Sequence, residues 1–204
     1  MWLLLMILLS WQGYFPIQQE GKQWEYQGLH IDPSRKDTIS YLYKEKIVGR
    51  EKIDGREYYI LESLSTGPDR ETQTTPLRID SSGVYAHTET FGEIKYYDRQ
   101  DSIWYLFPDT VLVSEGDRQI KFCGIGLLKG REKIQTAIGT ADALILDHLY
   151  SQELSRKTEK GSYEIIDNKH ELHRMWIVEN VGVVKSVEID AVGNKRIELL
   201  KEVK

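Results

Sequence analysis

Side chains of alternating polarity recur along most of this chain, and a period of two restricts such a polypeptide to β structure. Between 38 and 48, Ile39, Tyr41, Tyr43 and Ile47 share one face. Asp54-Gly55 then predicts a tight hairpin turn, because both residue types tolerate positive φ, and Tyr58, Ile60 and Leu64 continue a second strand. Further strands are expected at 77–80, 84–90, 93–98, 103–107 and 118–128, separated by Ser81-Ser82-Gly83, Gly92 and Pro108. Residues 132–138 alternate again, Gly139-Thr140 breaks the run, and the nearly continuous apolar stretch 141–150 reads as a central strand covered on both faces. The polar stretch 65–76 reads as an exposed loop, 151–161 as the end of a strand before a bend, and Asp167-Asn168 as a turn. Strands at 170–178, 181–189 and 196–203 follow, the last read as the sheet edge. About ten to twelve strands and no three-turn amphipathic helix are expected, and a sheet of that size curls or closes. The fold class is therefore all-β, an antiparallel meander forming a strongly curved sheet or half-barrel.

No repeat, heptad or Pro/Gly/Ser linker divides the 204 residues, so 14–204 is expected to be a single β domain. Residues 2–9 read WLLLMILL. An apolar core of roughly 7–15 residues at the start of a chain matches a secretory h-region and is too short to span a bilayer. Residues 1–13 are accordingly read as a signal peptide or N-terminal hydrophobic leader, with a buried strand or helix as the alternative. Two features depart from a typical signal. No Lys or Arg precedes the run, and Ser10 or Gly13 supplies the only small residue for cleavage. No Cys lies near the leader, which excludes a lipobox. The single cysteine, Cys123, also excludes an intramolecular disulfide, a thiolate zinc cluster and an iron–sulfur site. A formal net charge of −5 argues against nonspecific nucleic-acid binding, and membrane association is expected at most through the leader.

Residues able to do chemistry are scattered. His170 and His173 lie three apart, on opposite faces of a strand, and cannot chelate one ion together. A metal site drawn from Asp142, His148 and His173 is conceivable across strands, but no motif selects it. No G-x-S-x-G elbow surrounds Ser63 or Ser65, and Cys123 reads as a small buried hydrophobe between Phe122 and Ile125. Gly124, Gly126 and Gly130 lack phosphate-loop spacing and read instead as sites for a bend or bulge. Asp98, Asp101 and Asp109 flank an aromatic-rich stretch; sugar recognition and alternate faces of one hairpin both account for it, and the second is adopted. Lys44, Lys46, Arg50 and Lys52 are interrupted by Glu45, Glu51 and Asp54, the pattern of a mixed solvated face. No catalytic residue, metal or cofactor is assigned.

Residues 176–185, WIVENVGVVK, resemble a segment of uncharacterised exported bacterial β proteins with the approximate pattern W-Y-x-x-G-V-G-x-V-K. Trp176, Val181, Gly182, Val184 and Lys185 match; Ile177 stands for Tyr and Asn180 for Gly, and Asn keeps the left-handed turn accessible. Upstream, GREKIQTAIGTADALIL is similar to a second stretch of the same group through Gly130, Glu132, Ile134, Gly139, Thr140 and Ala143, with Ala141 where an aromatic is usual. The resemblance covers about 130–190 and is looser before that. These proteins are similar to the half-barrel group of lipoprotein carriers. The resemblance implies an exported, periplasmic or extracellular location and a concave β surface, and it implies no catalytic residues.

Three functions remain open. In the first, a non-enzymatic envelope protein binds a hydrophobic or lipid-like ligand on the concave face, with Tyr41, Tyr43, Tyr58, Trp104 and Trp176 as lining residues. In the second, the sheet is an interaction surface for an envelope protein and recruits its partner through the edge strand at 196–203. In the third, His148 or His173 sits in a cleft with a carboxylate and serves a hydrolase.

Overall fold

The structure, a computed structural model, describes residues 15–67 and 72–204. Twelve antiparallel strands form one sheet, with no helix among the described residues. They are β1 (Gln23–Asp32), β2 (Asp37–Ile53), β3 (Arg56–Ser65), β4 (Thr72–Ile79), β5 (Gly83–Thr88) and β6 (Gly92–Asp98), then β7 (Ile103–Glu115), β8 (Arg118–Thr136), β9 (Gly139–Lys157), β10 (Tyr163–Val178), β11 (Gly182–Ile189) and β12 (Lys195–Val203). Turn chemistry sets several boundaries. Asp54 and Gly55 both adopt positive φ, 50° and 80°, the requirement of the tight turn between β2 and β3. Asn180 takes the left-handed conformation, φ 63°, between β10 and β11. Asp80 accepts the backbone N–H groups of Ser82 and Gly83 and so fixes the turn into β5.

The strand order is β6-β5-β4-β3-β2-β1-β12-β11-β10-β9-β8-β7. Every lateral neighbour is also a neighbour in sequence except β1 and β12, which pair from Trp24↔Val203 to Ile31↔Lys195. The two free edges, β6 and β7, are themselves consecutive, joined only by residues 99–102. A link of that length spans at most about 18 Å, so the sheet must roll until its edges meet. They meet through side chains and not through a ladder. Trp104 donates its indole N–H to the Lys95 carbonyl at 2.9 Å, and its ring stands edge-on to Tyr97 with centroids 5.7 Å apart. The result is a nearly closed barrel.

Several expected boundaries shift. The strand at 196–203 is not an edge: β1, passed over in the alternation, pairs with it and places it mid-sheet. Part of the expected loop 65–76 belongs to β4. Pro108 does not end β7, because an edge strand loses no ladder bond to a residue without an N–H; the pairing shifts register there instead. The runs 118–128 and 132–138 fall largely within one strand, β8, bent by a register shift between Leu128 and Gly130. Residues 151–157 continue β9, and Asp167-Asn168 lies within β10 beside another register shift. The leader lies outside the described residues.

Inward-facing side chains build the core, among them Ile47, Leu146, Met175 and Ile177, all essentially inaccessible. Large rings reach across strands onto glycines. A Cβ on Gly126 would stand 2.1–2.5 Å from the Trp104 indole, one on Gly28 2.2–2.6 Å from the Tyr41 ring, and one on Gly124 2.8 Å from Phe107. Gly124 and Gly126 therefore leave room for rings, and the bend in β8 falls further along. On the other face, Arg174 grips the buried Asp147 with two bonds, 2.6 and 2.7 Å.

Candidate functional site

The barrel interior is incompletely filled, and the strand register explains where. Going along β2, the inward positions are Tyr41, Tyr43, Glu45 and Ile47. Opposite them on β3 stand Ser65, Ser63 and Leu61, and beyond those on β4 Gln73, Thr75 and Leu77. Polar residues thus gather at one end of three adjacent strands and apolar residues at the other. Two chambers result, and they share Tyr43, Ser63, Gln73 and His173 as a common border.

The apolar chamber, about 240 Å³, is walled by Trp24 and Tyr26 of β1, Leu61, Leu77, Val84 and Tyr96. Phe15, Pro16 and Ile17, just ahead of β1, close one side against Gly182 and Val183. The φ of Gly182 is +100°, and a Cβ there would touch Pro16 and Trp24, so this approach suits glycine. The indole of Trp24 donates to the Val181 carbonyl and holds the β10–β11 turn against the chamber. The polar chamber, about 210 Å³, is bounded by Tyr41, Ser65, Ser186, Glu188, Arg196 and Glu198. Each is smaller than a typical ligand pocket of roughly 300–1,000 Å³, but joined they reach that range.

Two half-buried carboxyls line these chambers, Glu45 in the apolar one and Glu198 in the polar one, each held by hydroxyls. Glu45 accepts from Tyr43 at 3.0 Å, and the Tyr26 hydroxyl stands 3.1 Å from both Glu45 and the Val183 carbonyl. Burial, helped by the charge of Glu198, pushes the Glu45 carboxyl up to about 7. Glu198 accepts from Tyr41 and Ser186, both at 3.0 Å, and burial raises it too. Arg196 lies 3.9 Å from Glu188. Burial holds the His173 imidazole down to about 4, and that of His148 down to about 3, so both are neutral near pH 7. His148 is engaged at 2.8 Å by the Tyr96 carbonyl. Neither imidazole hydrogen-bonds a carboxylate among the described residues, and no group of three or more His, Cys, Asp or Glu residues there is placed to hold a metal ion.

Of the five expected lining residues, Tyr43 borders both chambers and Tyr41 the polar one. The other three are placed elsewhere. Tyr58 is on the opposite face of β3, where its hydroxyl meets Glu93 within a cluster that includes Arg78 and Arg56. Trp104 fills the β6–β7 seam. Trp176 is buried, but it lies under the Lys185 ammonium, 4.2 Å from the ring centroid, and its indole bonds Glu132. The alternation missed Glu45, although it follows Tyr41 and Tyr43 at the next inward position. It missed Trp24 and Tyr26 with the strand that carries them. A third cavity, about 230 Å³, is lined by Phe91, Phe107, Phe122 and Tyr150, with Phe91 stacked on Phe107 at 4.1 Å.

No protein-family model matches the chain, and no curated protein matches it in sequence. Solved structures do resemble it. A candidate lipoprotein from Parabacteroides distasonis superposes with a TM-score of 0.54 at 13% identity, covering 92% of this chain and 96% of that one. An exported-protein candidate with a YmcC-like fold from Bacteroides fragilis gives 0.48 at 10% identity, covering 91% and 96%. A LolA-superfamily protein from Nitrosomonas europaea gives 0.34 at 13% identity, covering 98% and 92%. At these identities the first likeness is one of fold, a curled antiparallel sheet of the same extent.

Proposed function

We propose that the protein is a non-enzymatic envelope protein that holds a hydrophobic or lipid-like ligand inside the barrel. One observation carries this reading: an apolar chamber of about 240 Å³ lies directly against a polar one, the two sharing four lining residues, an arrangement that suits a molecule with an apolar tail and a polar end. Tyr41 is assigned to the polar chamber and Tyr43 to the border between the two. Export, to the periplasm or beyond the cell, is supported by the WLLLMILL leader and by the description of the similarly folded Parabacteroides distasonis protein as a lipoprotein candidate.

The test is uptake of N-phenyl-1-naphthylamine, whose fluorescence rises in apolar surroundings, alongside native mass spectrometry of protein from its own envelope fraction. Saturable uptake, weakened by Leu61→Gln, is expected. Absence of both saturable uptake and a co-purifying small molecule would remove the reading. A second reading, an interaction protein without a small ligand, is favoured by Ile103 and Tyr105 on edge strand β7, each 66% exposed. It predicts one stoichiometric protein partner in the same preparation.

A further inference from the structure

The polar chamber has a composition that discriminates between head groups. Its charged walls carry both signs, Glu188 and Glu198 against Arg196, within about 210 Å³. In so small a space an anionic head stands near the carboxylates and a cationic head near the guanidinium. Either one meets a like charge, and it finds the opposite charge already engaged, since Arg196 and Glu188 face each other at 3.9 Å with side chains 41% and 45% exposed to solvent. An uncharged head meets none.

Hydrogen-bonding capacity favours the same class. The carboxyls of Glu198 and Glu45 already accept from tyrosine and serine hydroxyls. By contrast, the side chains of Gln73 and His173, which border both chambers, make no hydrogen bond among the described residues. An amide has both donors and an acceptor, and a neutral imidazole has one of each. Burial keeps His173 in that neutral form. Paired donors and acceptors of this kind match hydroxyl groups, which themselves give and take.

We infer that the polar chamber receives the uncharged, hydroxyl-bearing head of a single-chain amphiphile, of the size of one sugar ring or a glycerol, with Gln73 and His173 as its neutral contacts. This deepens the reading of the barrel as a lipid-like ligand carrier and rests on it. A head left without these partners loses about one or two neutral hydrogen bonds, or about tenfold in affinity.

The experiment displaces bound N-phenyl-1-naphthylamine with three amphiphiles of equal tail, lauryl glucoside, laurate and laurylamine, all below their micelle concentrations at neutral pH. Lauryl glucoside is expected to act at about tenfold lower concentration than either charged analogue. Gln73→Leu, at an exposed position of β4, is expected to bring that ratio toward one, with folding checked by circular dichroism. Equal displacement by all three heads, or stronger displacement by laurate or laurylamine, overturns the head-group assignment and leaves the apolar ligand site standing. If the wild-type protein takes up no probe saturably, both readings fall together.

Discussion

Gly126→Ala tests the packing of aromatic rings onto glycines. The added methyl carbon would stand 2.1, 2.2 and 2.5 Å from three atoms of the Trp104 indole. The indole has little freedom to retreat. It is 6% exposed, it is bonded to the Lys95 carbonyl across the β6–β7 seam, and Tyr97 and His148 stand against it. Overpacking of a filled core typically costs about 1–3 kcal/mol. Loss of the seam hydrogen bond adds about 1 kcal/mol, while the reduced freedom of the unfolded chain returns about 0.4–1 kcal/mol. The expected net loss is thus about 1–4 kcal/mol, a fall in Tm of roughly 2–14 °C for a chain of this length. Urea unfolding followed by far-ultraviolet circular dichroism measures it, and an unchanged m-value would show that the surface exposed on unfolding is the same. Gly49→Ala is the control: nothing lies within 4 Å of its added carbon and its φ is not positive, so its stability should match or slightly exceed that of the wild type. If Gly126→Ala loses no more than Gly49→Ala, the ring does not occupy that space and the account of the seam fails.

Two further outcomes follow from buried charge. The imidazoles of His148 and His173 are held well below the ordinary 6.5, so the unfolded chain takes up two protons that the folded one refuses as pH falls from 6.5 toward 4. Glu45, raised to about 7, opposes them by one proton between its ordinary 4.5 and about 6.5. Glu198, raised as well, opposes them in the same sense, so the net is at most one proton and stability should rise by no more than about 1.4 kcal/mol per pH unit from about 4.5 to 6.5. It should then level and decline slightly as Glu45 ionises. A flat Tm profile over that acid range, at constant ionic strength, would contradict the burial of the two histidines. Arg174→Met leaves the 3% exposed Asp147 without its cation, which should cost about 3 kcal/mol, the low end for a broken buried pair because the guanidinium is partly exposed. Asp147→Leu combined with Arg174→Met should recover most of that loss; a single-variant cost below about 0.5 kcal/mol in urea unfolding would mean the pair behaves as a surface one.

Local chemistry made much of the fold legible. Asp54-Gly55 and Asn180 announce their turns, and the apolar run at 141–150 is indeed buried on both faces, with Ala143, Leu144, Leu146, Asp147 and His148 all covered. Strand β1 escaped because two of its inward positions are Gly28 and His30, which blur the polarity contrast that marks a strand. Its absence from the reading also turned β12 into an edge. The pairing that corrects this joins residues nearly the whole chain apart, and no local pattern encodes it. The same limit explains the site. Alternation states which residues share a face, yet not which face points inward. Tyr41 and Tyr43 fell on the cleft side, while Tyr58 and Trp176 fell on the other. Glu45 was hidden because a carboxylate at an inward position reads as solvated until its two tyrosine partners are in view.

The union of β1 with β12 also bears on how quickly the barrel forms. Gln23 and Lys204 exchange backbone bonds in both directions, at 3.0 and 2.9 Å, while the seam at 99–102 carries the chain between two strands that share no ladder. A circular permutant that joins Lys204 to Phe15 through a short linker and opens at 99–102 would make the most distant strand pair adjacent in sequence. With its loop-closure entropy reduced, such a chain should refold faster than the natural order from the same denaturant.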